Sequence, residues 1–213
     1  MCMLYPINLK LDRKPCLVVG GGQVAERKIQ ALLDAQAMVT VISPVLTPAL
    51  VNLYTDGKIK WEQRAYSVAD AKGYCLVISA TDHDEINQSV ARDCQDLNIL
   101  LNVVDDPDKC NFFVPAVVNQ GSLCISISTE GKSPMLAGRI REQLEQQFGP
   151  EYAEFIDLLG ELRPRVMHQV DDIKQRREIF AEIVTSDILD LLRKERKDEV
   201  KERIENVLNN RRH

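Results

Sequence analysis

The stretch KPCLVVGGGQVAERKIQALLDAQAMVTVIS, Lys14 to Ser43, sets three consecutive glycines between small and β-branched residues and a charged run of helical spacing. Gly20, Gly22 and Ala25 stand at the G-x-G-x-x-A spacing of a dinucleotide-binding turn. Gly20 permits a tight exit from the first strand, Gly22 lets backbone approach a pyrophosphate, and Ala25 replaces the third glycine at the helix–strand contact. The N-terminus of the next helix then offers backbone N–H groups and a positive dipole end to phosphates. The spacing alone also fits a tight structural turn. Its setting, between a predicted strand and a predicted helix at the start of a βαβαβ series, favours the dinucleotide.

About 20 residues after such glycines, an NAD site usually presents Asp or Glu to the ribose hydroxyls. Here the second predicted strand ends in Ser43-Pro44-Val45, with no acid there and no arginine for a 2′-phosphate. On the residues, NAD and NADP both remain open. Any ribose contact falls to the Ser43 hydroxyl or to backbone.

The elements that must position these groups follow from hydrophobic period. Apolar runs at Cys16 to Val19, Met38 to Ile42, Ile59 to Trp61, Tyr74 to Ser79 and Ile99 to Val104 predict strands. Segments such as VAERKIQALLDA and DEINQSVARDCQDL predict helices between them. Continuous apolar strands alternating with helices imply a parallel sheet covered on both faces. From Asn111 the pattern changes: two alternating runs flank Asn-Gln-Gly-Ser, the sign of an antiparallel hairpin. Ser133 then caps a predicted helix with Pro134 in its first turn and an apolar stripe of Leu136, Ile140 and Leu144. From Gly149 onward the chain reads as helices, ending in RKERKDEVKERIENVLNN, whose alternating charges suit a solvated helix.

Composition bounds the class. The chain has 213 residues, 45% hydrophobic and 28% charged, enough for one good core and a satellite. No apolar run approaches the roughly 18 residues of a membrane helix, and the N-terminus lacks signal-peptide features, so a soluble, cytoplasmic protein is expected. A net charge of −5 disfavours nucleic acid as a partner. Cys2, Cys16, Cys75, Cys94, Cys110 and Cys124 show no C-x-x-C pair and read as reduced core residues. His83, His168 and His213 lack metal-ligand spacing, so no protein-made metal site is expected.

Four stretches, YPINLKLDRKPCLVVGGGQVAERK, ISATDHDEINQSVA, NVVDDPDKCNFFVPAVV and ISTEGKSPMLAGRIREQLE, together resemble the precorrin-2 dehydrogenase family, which includes the dehydrogenase/ferrochelatase part of sirohaem synthases. The resemblance covers about residues 4–147 in order, and is weaker in the helical tail. It implies a Rossmann-like NAD-binding domain over 1–112, a dimerisation region over 113–148 and a helical domain over 149–213. It also implies NAD-dependent oxidation of precorrin-2 to sirohydrochlorin, with Fe²⁺ insertion to give sirohaem in some members, and a homodimer. A lone hairpin independently suggests a second subunit, because its edges and apolar face need cover.

The implied chemistry needs few protein groups. Hydride removal leaves a proton to be lost and metal insertion displaces pyrrole protons, so one carboxylate could act as base in either step. Asp105 matches the family's proposed catalytic aspartate and ends the fifth predicted strand, on the ligand side of a parallel sheet. On the residues alone, Asp105 and Asp106 read as turn formers ahead of Pro107 in preference to catalytic groups; with the resemblance, Asp105 reads as functional. The candidate cofactor set is Gly20, Gly22, Gln23, Val24, Ala25, Ser43, Pro44, Val45, Thr81, Asp82 and Val104; Asp82 could instead cap the next helix.

For the substrate, the resemblance points to Thr129, in a loop where relatives carry serine, and to Lys132 and Arg141 as cations for the carboxylates of a tetrapyrrole. Glu130 stands where those relatives have glycine. A contrasting reading keeps NAD binding without turnover, as a redox-sensing module that signals to a partner.

Overall fold

The protein is described by a computed structural model over residues 4–210; Cys2 and His213 lie outside the described residues. The chain divides into two compact units at Val114–Pro115. The first carries a five-stranded sheet, β1 Pro15–Val19, β2 Met38–Ile42, β3 Ile59–Glu62, β4 Leu76–Ser79 and β5 Leu100–Val103, with spatial order β3-β2-β1-β4-β5. Every pairing is parallel. Helices α1 Gln23–Asp34, α2 Pro48–Thr55 and α3 Asp84–Asp96 make the β1–β2, β2–β3 and β4–β5 crossovers, and a helix-free loop makes the β3–β4 one.

Burial on both faces explains why these strands read as unbroken apolar runs. Cys16 and Val18 of β1 face the core shared with Ala25, Ile29 and Leu32 of α1. The alternate residues Leu17 and Val19 enter the core shared with Val90 and Cys94 of α3. Each buried Val, Leu or Ile among them contributes roughly 1.5–3 kcal/mol. Helix α2 was not anticipated; Thr47 caps it by accepting the Leu50 N–H at 3.4 Å, and Pro48 follows at the first helical position.

Boundaries shift by one or two residues from the sequence reading. β4 begins at Leu76 rather than Tyr74, and β5 ends at Val103, so Asp105 lies two residues beyond the strand. The thiols also divide: Cys16 and Cys94 are buried and Cys110 half-buried, whereas Cys75 and Cys124 are exposed and are not core residues. Cys75 sits just before β4, ahead of the four buried residues of that strand.

In the second unit β6 Ala116–Gln120 and β7 Leu123–Ile127 form the antiparallel hairpin. Its loop is only Gly121-Ser122, and Gly121 at φ +57° supplies the positive first position of a tight hairpin turn. Helix α4, Pro134–Gln147, packs on this hairpin. Its expected stripe is only partly covered, since Leu136 is exposed and Ala137 is the helix's buried residue. Helices α5 Glu151–Gln169, α6 Ile173–Thr185, α7 Ile188–Arg193 and α8 Lys197–Asn210 share a separate core. The charged tail is therefore amphipathic, not solvated all round: Val200, Ile204, Val207 and Leu208 of α8 are buried. No described helix is long and apolar enough to cross a membrane.

The start of α4 gives a direct test. Ser133 Oγ accepts the Leu136 N–H at 3.3 Å, satisfying one of the helix's unpaired donors. Ser133→Ala is expected to lower unfolding stability by about 1 kcal/mol and Ser133→Asp to retain it, measured by urea denaturation.

Candidate functional site

A cleft of about 960 Å³ opens at the carboxyl ends of the strands in the first unit. The strand order reverses between β1 and β4, which is where doubly wound sheets bind ligands. Gly20, Gly22, Gln23, Val24, Ser43, Pro44, Val45, Thr81, Asp82, Val104 and Asp105 all line it. Ala25 does not: it is fully buried between α1 and the sheet, where its small side chain allows close packing and no ligand contact.

The three glycines do different work. Gly20 has φ +112°, and a Cβ there would lie 2.3 Å from the Ala80 carbonyl oxygen, so the turn is pressed against the exit of β4. Gly21, which the spacing motif leaves unassigned, is as constrained. A Cβ on it would lie 2.2 Å from the Val45 carbonyl oxygen and 2.9 Å from Ser43 Oγ, and its own carbonyl accepts the Thr47 N–H at 3.0 Å. Gly22 differs in kind, because a Cβ there would meet nothing within 4 Å. It is the N-cap of α1 and makes no side-chain cap, so the first N–H groups of the helix face the cleft without an intrahelical partner. A dinucleotide's pyrophosphate fits that bare, positively polarised backbone.

The ribose end corrects one expectation. Ser43 is only 7% exposed, and its hydroxyl donates to the Val45 carbonyl at 2.8 Å. Its hydrogen is spent within the turn, so Ser43 Oγ can only accept from a ribose hydroxyl. Trp61 Nε1 donates to the Ser43 carbonyl at 2.9 Å and fixes the same turn from β3.

Beyond β4, Ser79 Oγ donates to Asn87 Oδ1 at 2.7 Å, and Asn87 Nδ2 donates to the Thr81 carbonyl at 3.1 Å. This buried pair holds the loop carrying Thr81 and Asp82. Asp82 does not cap α3; His83 is the N-cap and Asp82 lies exposed at the rim. Asn87 could have been noticed as a polar residue on the buried face of its helix.

Asp105 has φ +61°, a left-handed conformation that costs an L-residue roughly 1–2 kcal/mol and that Asp tolerates better than most. Its loop is tied down around it. Lys109 Nζ bridges the carboxylates of Asp106 and Asp84, at 3.0 Å from the latter, joining the loops after β5 and β4. Both Asp106 and then Asp84 hold the Lys109 ammonium above its ordinary range. Cys110 Sγ accepts the Val103 N–H at 3.2 Å, and burial pushes its thiol up. On α1, burial lowers Lys28, with Arg27 adding to the effect; the negative field of Asp105 and then Cys110 opposes it. The sequence reading passed over Lys28, because a lysine on a charged helix carries no spacing signal.

Thr129, Lys132 and Arg141 belong to the second unit. Thr129 Oγ1 accepts the Ser133 N–H at 3.2 Å, and its carbonyl accepts the Lys132 N–H at 2.9 Å. Lys132 pairs with Glu130 at 3.1 Å, and Arg141 pairs with Glu145 and Glu142 of its own helix. Both candidate cations thus carry acidic partners. Glu130 has φ +52°, which accounts for glycine being at home at that position. No group of three or more metal-ligating side chains occurs among the described residues.

The sheet order, the switch-point cleft and the bare helix N-terminus define a dinucleotide-binding α/β protein. Residues 7–116 match the NAD(P)-binding family, 120–147 the family described as sirohaem biosynthesis protein central, and 151–208 the sirohaem synthase dimerisation region. The chain is 40% identical over 184 residues to siroheme synthase 1 of Aeromonas salmonicida, covering 86% of this chain and 39% of that protein. It is 34% identical over 204 residues to the siroheme synthase of Thioalkalivibrio sulfidiphilus, covering 96% and 42%. The chain thus spans about two-fifths of the length of these relatives. Among solved structures it is similar to SirC, precorrin-2 dehydrogenase, with a TM-score of 0.78 and 26% identity over 95% of this chain and 100% of that one. The chain belongs to the precorrin-2 dehydrogenase family that includes the dehydrogenase/ferrochelatase part of sirohaem synthases. The match over residues 7–116 makes its cofactor a nicotinamide dinucleotide.

The glycine turn yields two separable effects. Gly22→Asp leaves the fold intact, since the added side chain meets open space, and is expected to weaken NAD binding at least about tenfold in calorimetry by setting a carboxylate against the pyrophosphate. Gly21→Ala instead forces the Val45 turn to move, and should lower unfolding stability by about 1–3 kcal/mol in thermal or denaturant melts.

Proposed function

We propose that this chain oxidises precorrin-2 to sirohydrochlorin, with NAD as hydride acceptor, in sirohaem biosynthesis. The observation that carries the reading is that one cleft contains both the glycine turn and Asp105. The relatives named for siroheme synthesis and precorrin-2 dehydrogenation support it.

When bound, NAD supplies the hydride-accepting ring of the reaction. The chain's own contributions are positional and electrostatic. Gly22, Gln23 and Val24 present α1 backbone to the pyrophosphate, while the turn at Ser43, Pro44 and Val45 borders the ribose. Thr81, Asp82 and Val104 border the cleft beyond β4 and β5. Asp105, exposed in the cleft, takes the proton that the tetrapyrrole loses once its hydride has gone. Thr129, Lys132 and Arg141 meet the substrate's polar rim, which requires Lys132 and Arg141 to exchange their carboxylate partners for substrate carboxylates.

We further assign Fe²⁺ insertion into sirohydrochlorin to the same base, with the macrocycle nitrogens as the metal's ligands. The division is 1–112 for NAD, 113–148 for subunit contact and 149–213 for the helical domain, in a cytoplasmic homodimer. The match of residues 151–208 to the sirohaem synthase dimerisation region supports a subunit contact that also involves the helices. Exposed Met135 and Leu136 at the start of α4 and the uncovered hairpin edges favour a partner subunit.

Asp105→Asn is expected to keep NAD affinity, because an amide of the same shape leaves the turn unchanged, and to lose roughly a hundred- to ten-thousand-fold in turnover at saturating precorrin-2. NADH release followed by absorbance checks this; near-wild-type turnover ends the base assignment. Supplying ready-made sirohydrochlorin with Fe²⁺ or Co²⁺ and no NAD isolates metal insertion, and a rate no higher than without enzyme makes the chain a dehydrogenase alone. Light scattering at micromolar protein should give twice the 24.1 kDa chain mass, whereas a monomer alone removes the dimer.

A further inference from the structure

We propose that Arg64, held between Glu62 and Asp70, decides between the two nicotinamide dinucleotides, and that its capture by both carboxylates makes the cleft reject a 2′-phosphate. The inference rests on the cleft binding NAD(P) and concerns which form it admits.

In doubly wound sheets the end of β2 meets the adenosine ribose. An acid there holds the 2′-hydroxyl, or a nearby arginine takes the 2′-phosphate. This chain has neither at Ser43-Pro44-Val45, and the Ser43 hydroxyl hydrogen is already used. The next groups outward belong to the end of β3. Ile42 is in register with Glu62, Ser43 N–H donates to the Glu62 carbonyl at 3.3 Å, and Ala65 and Tyr66 line the same cleft as Ser43 and Val45. Arg64 therefore stands two residues past the strand end that flanks the ribose turn, beside the lining residue Ala65; Glu62, Arg64 and Asp70 themselves stand outside the lining, at the border of the cleft.

Both of its Nη groups are engaged there. Nη1 and Nη2 form a fork on Asp70, at 2.5 and 2.9 Å, Nη2 also reaches Glu62, and Nη1 donates to the Ala65 carbonyl at 3.1 Å. One cation between two carboxylates leaves the trio with a net negative charge. A 2′-phosphate would meet that charge with the Nη donors already taken, while a 2′-hydroxyl can donate to a carboxylate oxygen. The trio thus does from β3 what an acid at the end of β2 does elsewhere. Arg64, at 41% side-chain exposure, remains close enough to solvent to receive a phosphate once released.

Asp70 also accepts the Ser67 N–H at 2.7 Å, so its replacement touches the loop, whereas Glu62 makes no such backbone contact through its side chain. The variants separate the two roles. Calorimetry and the fluorescence of Trp61, the chain's one tryptophan, would follow NAD and NADP titrated separately into the full-length chain. Wild type should bind NADP at least about tenfold more weakly than NAD; Glu62→Gln should narrow that ratio, and Glu62→Gln with Asp70→Asn should narrow it about tenfold through tighter NADP binding. Adding Arg64→Met to the double variant should abolish the gain, which a general loss of negative charge would leave in place. Equal wild-type affinity for the two dinucleotides overturns the proposal. So does an unchanged ratio in Glu62→Gln together with an unchanged ratio in the double variant. If neither dinucleotide binds wild type, the cofactor reading itself fails, and the specificity role falls with it.

Discussion

The fit of backbone against backbone at the exit of β1 is the constraint on which the site depends. Gly20 abuts the Ala80 carbonyl and Gly21 abuts the Val45 carbonyl, so the chain leaving the central strand is clasped by the turns after both neighbouring strands. No side chain larger than hydrogen fits either contact without displacing backbone. Because β1 pairs with β2 on one side and β4 on the other, this one turn sets the spacing of the loops that form the cleft walls. It also leaves Gly22 facing open space at the start of α1, where a helix dipole and unpaired N–H groups make an anion site.

A second tier of contacts makes those walls rigid. The Ser79–Asn87 pair is buried, and a buried polar group without a partner would cost roughly 1–3 kcal/mol, so the two residues enforce one arrangement of the loop after β4. Lys109 then joins that loop's helix to the Asp105 loop, and Cys110 ties the same segment back to β5. These restraints offset the left-handed backbone of Asp105. Strain kept in place by surrounding contacts is a common property of functional loops. On the far side of the cleft, Trp61 does for the ribose turn what Lys109 does for the Asp105 loop.

The second unit follows different rules. Its helices close on their own apolar core, while the hairpin and α4 keep edges and apolar side chains open, as a surface for another subunit requires. Glu130 and Gly131, both with positive φ, shape the turn that delivers Lys132 and Ser133 to α4. In the proposed function, the carboxylate beside Lys132 makes substrate binding in that turn a matter of exchanging ion-pair partners. Exposed pairs are worth little, so such an exchange is energetically accessible.

Hydrophobic period and the glycine spacing were enough to determine the five strands, the crossover helices α1 and α3, the hairpin, the Ser133 cap and the position of the nucleotide turn. Each of these is a local signal, carried by neighbours in the chain. Four linked motifs also carry the resemblance to the family. Tertiary structure decided what depends on residues far apart in sequence: that Gly21, outside the motif, is clasped by Val45; that Ala25 is core; that the Ser43 hydroxyl is spent on its own turn; and that Lys109 reaches Asp84. It likewise exposed Cys75 and buried one face of α8. Periodicity specifies which side of an element is apolar, but a polar group's partner is set by how strand ends meet across the sheet, and no spacing along the chain encodes that.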